Sequence, residues 1–255
     1  MNIISCLKVA PEGQDIQIAN DGSLVLDRSD WKIGEYDLPA IEYGRLLATS
    51  IDGAVYSGLS LGNSHLEGTK LRKEILSRGM QDFYAVVDAA ADTYDSYQTA
   101  VVLAAAIKKR GDFDIIFCGT GSADMYSQSV GNQLGALLGI PALDYVKSVT
   151  VDGDKATVIR VVEEGEEVLE VTLPAVFTVT ADSNEPKIPG MKDILAASKK
   201  KTIQWMLADI GVTVPERATE IVSTLAPKYQ ERKQDVKEAS DEAIVAFAKA
   251  LKSSL

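Results

Sequence analysis

Apolar residues in the first half of the chain follow two alternating patterns. Short, nearly continuous apolar runs predict buried strands at 3–9, 54–61, 83–87 and 114–118. Between and after these runs, apolar residues recur at helical spacing and predict helices that begin near residues 37, 66, 96 and 125. Strands that alternate with helices at this interval are parallel and joined by right-handed crossovers. The first half therefore predicts an α/β fold with a doubly wound, mostly parallel sheet.

Local sequence also predicts how some of these helices begin and end. Asp37 is a candidate N-cap, and Pro39 suits a first helical turn. Residues 108–111 combine a cationic last turn with a glycine cap. A stripe of glycines four residues apart begins at Gly131, and we expect it to let the last of these helices approach the sheet closely.

The pattern changes after Pro141. Three short β-type runs separated by turns predict an antiparallel extension of the sheet at 146–151, 155–162 and 168–173. The next elements predicted are a buried strand and two helices, at 174–180, 191–200 and 239–251. Few apolar residues lie in 211–238. We therefore predict an α/β domain at 1–205 and, at 206–255, a C-terminal arm with a helix that wraps a partner.

Composition and charge exclude several classes of function. The hydrophobic fraction of 46% and charged fraction of 25% are ordinary for a globular protein, and no apolar stretch is long enough for membrane insertion. The net charge of -11 disfavours nucleic acid and anionic lipid. Both cysteines, Cys6 and Cys118, lie in apolar runs and predict buried free thiols. This low cysteine usage and the lack of a signal-peptide pattern lead us to expect a cytoplasmic protein with no metal site.

The segment with the clearest chemical potential is the loop at 119–131, which reads Gly-Thr-Gly-Ser-Ala-Asp-Met-Tyr-Ser-Gln-Ser-Val-Gly. It follows a buried strand and leads into a helix, so its backbone N–H groups can approach phosphate oxygens. Three serine hydroxyls, at Ser122, Ser127 and Ser129, can add donors. The loop is neither GxGxxG nor a Walker A motif. A tight strand–helix turn without a ligand is the alternative.

Other strand ends converge on the same edge of a doubly wound sheet, at 6–8, 34–37 and 61–62. Together they predict a nucleotide with adenine against Cys6 and Leu61 and with phosphates on the loop that begins at Gly119. The sequence contains no catalytic constellation, because it has no Ser/His/Asp or Cys/His set. This favours a protein that holds a cofactor and lets the cofactor react.

Four segments carry a resemblance to a known family. They are the strand that precedes Lys8 and Val9, the helix start at 34–42, the loop at 119–131, and Leu-Pro-Ala-Val at 173–176 followed by Asn-Glu-Pro at 184–186. In this order they resemble the β-subunits of electron transfer flavoproteins, most closely the Fix-type bacterial branch. The resemblance implies an adenine nucleotide alpha hydrolase-like fold, with a C-terminal arm that embraces an α-subunit carrying the electron-transferring FAD.

The resemblance also implies which nucleotide the chain holds. Such β-subunits bind AMP in ordinary members and a second FAD in electron-bifurcating members. Where the family often has Asn and Gln, this chain has Gly34 and Ser129, which leaves AMP or FAD open. With the converging strand ends, the resemblance gives these candidate cofactor-binding residues: Cys6, Leu7, Lys8, Gly34, Tyr36, Asp37, Leu61, Gly62, Thr99, Gly119, Gly121, Ser122, Asp124, Ser127, Gln128, Ser129 and Val130.

A second implied site concerns partner proteins. Lys187, Ile188 and Met191 follow the Asn-Glu-Pro signature, where the family has a loop that docks into partner dehydrogenases. The apolar anchor of that loop falls on Met191, whose flexible side chain suits an adaptable apolar pocket. Met191 as the first core residue of the following helix is an equally open interpretation.

The implied function is that of a non-catalytic electron-carrier subunit, in the bifurcating case part of an electron-bifurcating flavoprotein. It would accept electrons from a dehydrogenase or NADH and pass them to an acyl-CoA reductase, ferredoxin or flavodoxin. The alternative is a stand-alone ATP- or AMP-binding module of the adenine nucleotide hydrolase-like group. The long C-terminal arm argues against the alternative, whereas a stable monomer with tight ATP binding would support it.

Overall fold

The protein is represented by a computed structural model that describes residues 1–227, 236 and 238–254. Contacts between residues divide the chain into two units. The first contains residues 1–17 and 25–222, and the second contains residues 18–24 and 223–255. Residues 206–222, which the sequence assigns to the arm, thus belong to the first unit.

The strands in the described residues are β1 to β13, with the bounds Asn2–Cys6, Val9–Pro11, Gln17–Ile18, Leu24–Val25, Trp31–Ile33, Val55–Gly62, Asp82–Val87, Ile115–Gly119, Ala142–Asp152, Lys155–Val162, Gly165–Thr172, Ala175–Val179 and Lys201–Trp205. The α-helices are α1 to α6, with the bounds Leu38–Ser50, Thr69–Ser77, Ser96–Arg110, Val130–Leu138, Met191–Ala197 and Asp241–Ser254. Short 3-10 turns precede α1, α2 and α3.

Nine of the described strands form one sheet in the order β11-β10-β9-β12-β8-β1-β6-β7-β13. From β9 to β13 along this order, neighbouring strands are parallel, whereas β10 and β11 extend the sheet in an antiparallel meander. Both features confirm the predicted fold class. Strand β1 pairs with β6 on one side and with β8 on the other, so the chain reverses its direction of winding there. Ligands of open α/β sheets bind at such a switch point, beyond the carboxyl ends of the strands.

Helices cover both faces of the main sheet, as expected for a doubly wound fold. One apolar layer contains Ile41 of α1, Ile75 of α2 and Phe117 of β8. The opposite layer contains Leu103 of α3 and Leu134 of α4. Because side chains alternate along a strand, β8 contributes to both layers. Burying each such side chain contributes roughly 1.5–3 kcal/mol to folding.

Helix α4 lies close to the sheet, as the glycine stripe predicts. A Cβ on Gly131 would lie 2.2 Å from Thr178 Cγ2 on β12, and a Cβ on Gly135 would lie 2.5 Å from Ala142 Cβ on β9. Neither position has room for a side chain. This close packing fixes where the N-terminus of α4 lies relative to the carboxyl ends of the strands.

The structure differs from the predicted elements in several places. The predicted strand at 3–9 is divided, because β1 ends at Cys6 and Val9–Pro11 forms β2, which pairs with β5 in a separate small sheet. Helix α4 begins at Val130 instead of near residue 125, because Tyr126 and Gln128 have φ values of 45° and 53° and cannot continue a right-handed helix. Helix α5 ends at Ala197, and the chain then forms β13, an edge strand parallel to β7 that the sequence analysis missed.

In the second unit, helix α6 carries an exposed apolar side formed by Ile244, Val245 and Phe247. A bridge between Ser23 and Leu225 joins the two segments of this unit. That the arm wraps a partner stays a prediction. In the described part of the chain, no helix combines the length and apolar character needed to cross a bilayer.

Candidate functional site

A cavity of about 290 Å³ opens at the switch point, beyond the carboxyl ends of β1, β6 and β8. This volume is near the lower end of the range of small-molecule sites, about 300–1,000 Å³. The walls come from those strand ends, the start of α3, the loop between β8 and α4, and a segment near residue 217. Segments that are distant in sequence thus meet around one concave space.

Two thiols form part of the floor of the cavity. Cys6 ends β1, Cys118 lies on the neighbouring strand β8, and both are buried free cysteines. A hydrogen bond with Cys6, together with burial, raises the pKa of the Cys118 thiol well above its ordinary value. Leu61 and Leu103 line the cavity as well. The floor is therefore uncharged and apolar, and it suits the flat face of an aromatic ring.

Asp37 joins three segments of the chain at the edge of the cavity. Its Oδ2 accepts a hydrogen bond from the backbone N–H of Lys8 at 2.7 Å, and its Oδ1 accepts one from the N–H of Gly119 at 3.3 Å. Burial raises the pKa of Asp37 to about 7, although these two N–H groups act in the opposite direction. Asp37 is the N-cap residue of α1, as predicted, but its side chain makes no capping bond to the helix. Pro39 does lie in the first turn, as predicted.

Gly119 marks the point at which the chain leaves β8 to form the loop. A Cβ at this position would lie 2.4 Å from the backbone oxygen of Tyr36 and 2.6 Å from Asp37 Oδ1. Real Cβ atoms do not come this close to backbone oxygens. Glycine is therefore required here so that the strand end can approach the start of α1.

A second charged contact crosses from the end of β1 to the loop. Lys8 Nζ lies 2.6 Å from Asp124 Oδ2, and both side chains are about one-third exposed. Burial raises the pKa of Asp124, but the charge and hydrogen bond of Lys8 outweigh it and lower the pKa overall. Lys8 lines the cavity, and its ammonium group is paired with this carboxylate.

The loop between Gly119 and Val130 has an unusual backbone. Tyr126 and Gln128 both adopt positive φ values, which are uncommon for residues other than glycine. The ring of Tyr126 packs against that of Tyr36 with centroids 4.9 Å apart, and Gln128 Nε2 donates to the hydroxyl of Tyr145 at 3.0 Å. Such left-handed residues cost about 1–3 kcal/mol each and cluster at ligand sites.

Two helices begin at the cavity, and their N-termini differ. Asp95 Oδ1 accepts from Gln98 N at 2.8 Å, and Gln98 Oε1 accepts from Asp95 N at 3.0 Å, so α3 begins with a complete capping box. The hydroxyl of Ser129 instead donates to the carbonyl of Ser127 and does not cap α4. In the described residues, the N–H groups in the first turn of α4, at 130–132, have no acceptor. The N–H groups of an uncapped helix N-terminus can bind an anion.

Most residues predicted to bind a cofactor lie around this cavity. Those that line it are Cys6, Leu7, Lys8, Asp37, Leu61, Thr99, Gly119, Gly121, Ser122, Ser127, Gln128, Ser129 and Val130. The remaining four predicted residues do not line the cavity. Asp124 holds Lys8, Tyr36 packs on Tyr126, Gly34 lies against Asp37, and Gly62 lies against Leu66.

Other residues of the wall were not predicted from the sequence, namely Ala91, Tyr94, Asp95, Ser96, Leu103, Arg217 and Thr219, and Cys118 was not placed in it. Asp95 has a sequence signal, because Asp followed three residues later by Gln predicts a capping box. Arg217 and Thr219 have no such signal.

The segment predicted to dock partner proteins lies elsewhere in the first unit. Ile188 is 87% exposed, and Met191, the first residue of α5, is 73% exposed. Lys187 Nζ forms an ion pair with Asp193 at 3.0 Å. The interpretation of Met191 as a core residue is wrong, whereas a role in docking stays a prediction.

Comparison with known protein families places most of the chain in one of them. The family model described as "Electron transfer flavoprotein domain" matches residues 23–210, well over half of the chain. The matched residues contain α1 to α5 and the loop between β8 and α4. In the described residues, no group of three or more His, Cys, Asp or Glu side chains could hold a metal ion.

Proposed function

This chain belongs to the electron transfer flavoprotein domain family, so it is a protein of electron transport, and from that premise we propose that it is the β-type subunit of a heterodimeric electron transfer flavoprotein. In this proposal the cavity binds an adenine nucleotide, either AMP or the AMP portion of an FAD. The chain contributes no catalytic side chain of its own. It positions a nucleotide beside a partner subunit that holds the electron-transferring FAD.

The observation that carries the proposal is the uncapped start of α4 at the switch-point cavity. The N–H groups at 130–132 have no acceptor in the described part of the chain, and the macrodipole of α4 favours a negative charge there. An apolar floor of Cys6, Cys118 and Leu61 lies in the same cavity. A nucleotide supplies both complementary groups, because its phosphate is anionic and the flat faces of its adenine ring stack on apolar surfaces.

The residues present fit such a ligand. We assign the phosphate to the N–H groups at the start of α4 and to the hydroxyls of Ser127 and Ser129, and the adenine ring to the floor formed by the two thiols. When FAD is bound, its isoalloxazine ring supplies the electron transfer. The chain itself would bind and orient the nucleotide and exclude water from its buried face.

Partners in the proposal follow from the family. The C-terminal arm at 206–255 would wrap the α-type subunit. The exposed segment with Lys187, Ile188 and Met191 would dock an acyl-CoA dehydrogenase or reductase. We also propose that NADH, ferredoxin and flavodoxin exchange electrons with the complex. The subfamily that we propose is the Fix-type branch, which includes bifurcating members. The compartment proposed is the cytoplasm.

The test is to co-express the full chain with the product of the neighbouring gene, purify the complex, and quantify released FAD and AMP per heterodimer by chromatography. One FAD and one AMP would identify an ordinary electron shuttle. Two FAD and no AMP would make this subunit the holder of a second redox site. A stable lone chain that binds ATP tightly and neither FAD nor AMP would overturn the proposal in favour of a stand-alone binding module.

A further inference from the structure

Arg217 brings a guanidinium group to the cavity from a segment far from the nucleotide loop in sequence. Two hydrogen bonds position this segment. Gln98 Nε2 of α3 donates to the carbonyl of Pro215 at 2.8 Å, and Arg217 Nη1 donates to the carbonyl of Thr93 at 3.0 Å. The guanidinium is therefore fixed at one corner, beside the start of α3.

Among the described residues, Arg217 differs from the other charged groups around the cavity because one of its donor atoms has no partner. Lys8 is paired with Asp124 at 2.6 Å, Asp37 accepts two backbone N–H groups, and Asp95 caps α3. Among the described residues, none of the ion pairs involves Arg217. Its Nε is buried and has no hydrogen-bond partner. A buried N–H group without an acceptor is unfavourable and calls for an explanation.

The unpaired Nε belongs to the edge of the guanidinium that binds two oxygens of a phosphate or carboxylate side by side. We propose that Arg217 binds the phosphate of the nucleotide in this cavity, together with the uncapped start of α4. The inference rests on the proposed function and deepens it, because it makes Arg217 the residue that distinguishes a phosphorylated adenine compound from an unphosphorylated one. A guanidinium and a helix N-terminus would then share one anion.

The experiment measures affinity for AMP and for adenosine by isothermal titration calorimetry. It uses the full-length protein, freed of bound nucleotide and in complex with the α-type subunit where one co-purifies. The variants are R217Q and R217K. The matched control is R28Q, because Arg28 is exposed and has no ion pair among the described residues.

We expect R217Q to weaken AMP binding about tenfold or more and to leave adenosine binding unchanged. R217K should recover part of the loss, since it restores the charge without the bidentate edge, and R28Q should match the wild type for both ligands. Equal loss of AMP and adenosine binding would indicate a structural role and overturn the inference. So would AMP affinity of R217Q equal to that of the wild type, while the proposed function would stand. A wild-type protein that binds neither AMP nor FAD would overturn both.

Discussion

Helices α3 and α4 begin at the same cavity, yet only α3 supplies its own cap. Asp95 and Gln98 exchange hydrogen bonds at the start of α3, so that helix needs nothing from outside the chain. At the start of α4, Ser129 has φ -122° and ψ -21° and does not cap. A capping residue usually has an extended backbone, which places its side chain over the first turn.

The capped start of α3 needs no ligand, whereas the uncapped start of α4 has N–H groups that a ligand can satisfy. Unsatisfied N–H groups at a helix end are met by a cap, by water or by a ligand. Helix α3 has a capping box, whereas the start of α4 is uncapped and follows a loop with two left-handed residues. We infer that the start of α3 is a wall of the cavity and that the start of α4 is its binding surface.

We expect the largest effect from a substitution of Gly119, where β8 leads into the loop before α4. The change G119A places a Cβ 2.4 Å from the backbone oxygen of Tyr36, so β8 and the start of α1 must move apart. We expect at least a hundredfold loss of nucleotide affinity and a loss of stability of about 2–4 kcal/mol. Calorimetric titration and urea unfolding measure the two effects.

A matched control is G153A, at a turn where φ is +61° and no atom lies within 4 Å of the added Cβ. It should lose about 1 kcal/mol of stability from backbone strain and keep its nucleotide affinity. Normal nucleotide binding by G119A would show that the loop does not depend on this close approach.

The next effect is a pH dependence caused by Asp37, the carboxyl group that holds Gly119. Its pKa is about 7 in the folded protein and near 3.8 when unfolded, so the folded protein binds the extra proton between these values. The stability contributed by Asp37 is therefore full below pH 3.8 and falls as pH rises toward 7, by at most about 1.4 kcal/mol per pH unit. Relative to D37N, the wild type should lose stability between pH 5 and pH 8.

Urea unfolding of both proteins across this range measures the difference, and D27N serves as an exposed control. A difference between the wild type and D37N that stays constant from pH 5 to pH 8 would contradict the assignment.

A negative charge at the start of α4 tests whether this helix end binds an anion. The change S129D adds a carboxylate where the phosphate is proposed to bind, so we expect about a tenfold loss of AMP affinity by like-charge repulsion. S129N has a similar shape without the charge and should stay within about threefold of the wild type. Calorimetric titration of AMP into the wild type and the two variants measures the affinities. Equal losses of affinity in S129D and S129N would mean that side-chain shape, and not charge, is responsible.

The smallest effect concerns the caps themselves. D95A removes the capping box of α3 and should cost about 1 kcal/mol of stability. S129A removes no capping bond and should cost less than about 0.5 kcal/mol. Thermal unfolding of the two variants compares them, and an equal cost would remove the distinction between the two helix starts.

Much of the fold could be predicted because its elements repeat clear apolar patterns. The buried strands of the main sheet are nearly continuous apolar runs, and the meander shows turns at regular intervals. Strand β13 was missed because Lys201–Trp205 is a short edge strand whose residues are exposed or half-buried, so it has no apolar run. Its existence depends on pairing with β7, which local sequence does not encode.

The site was partly predictable for a similar reason. Small residues after a buried strand identify the loop at 119–131, because that pattern has a local cause. The role of Asp37 depends on backbone groups of Lys8 and Gly119, and the place of Arg217 depends on Thr93. These contacts join residues far apart in sequence and leave no periodic trace, so only the assembled fold reveals them.

The central place of β1 also determines when the cavity can form during synthesis. Strand β1 leaves the ribosome long before its neighbour β8, although Ile3 lies beside Ile115 in the folded sheet. Closing so long a loop costs entropy and slows folding. A nascent chain that ends before residue 115 exposes one apolar edge of β1, a surface that chaperones protect. The cavity floor, which includes Cys6 of β1 and Cys118 of β8, is therefore completed late in folding.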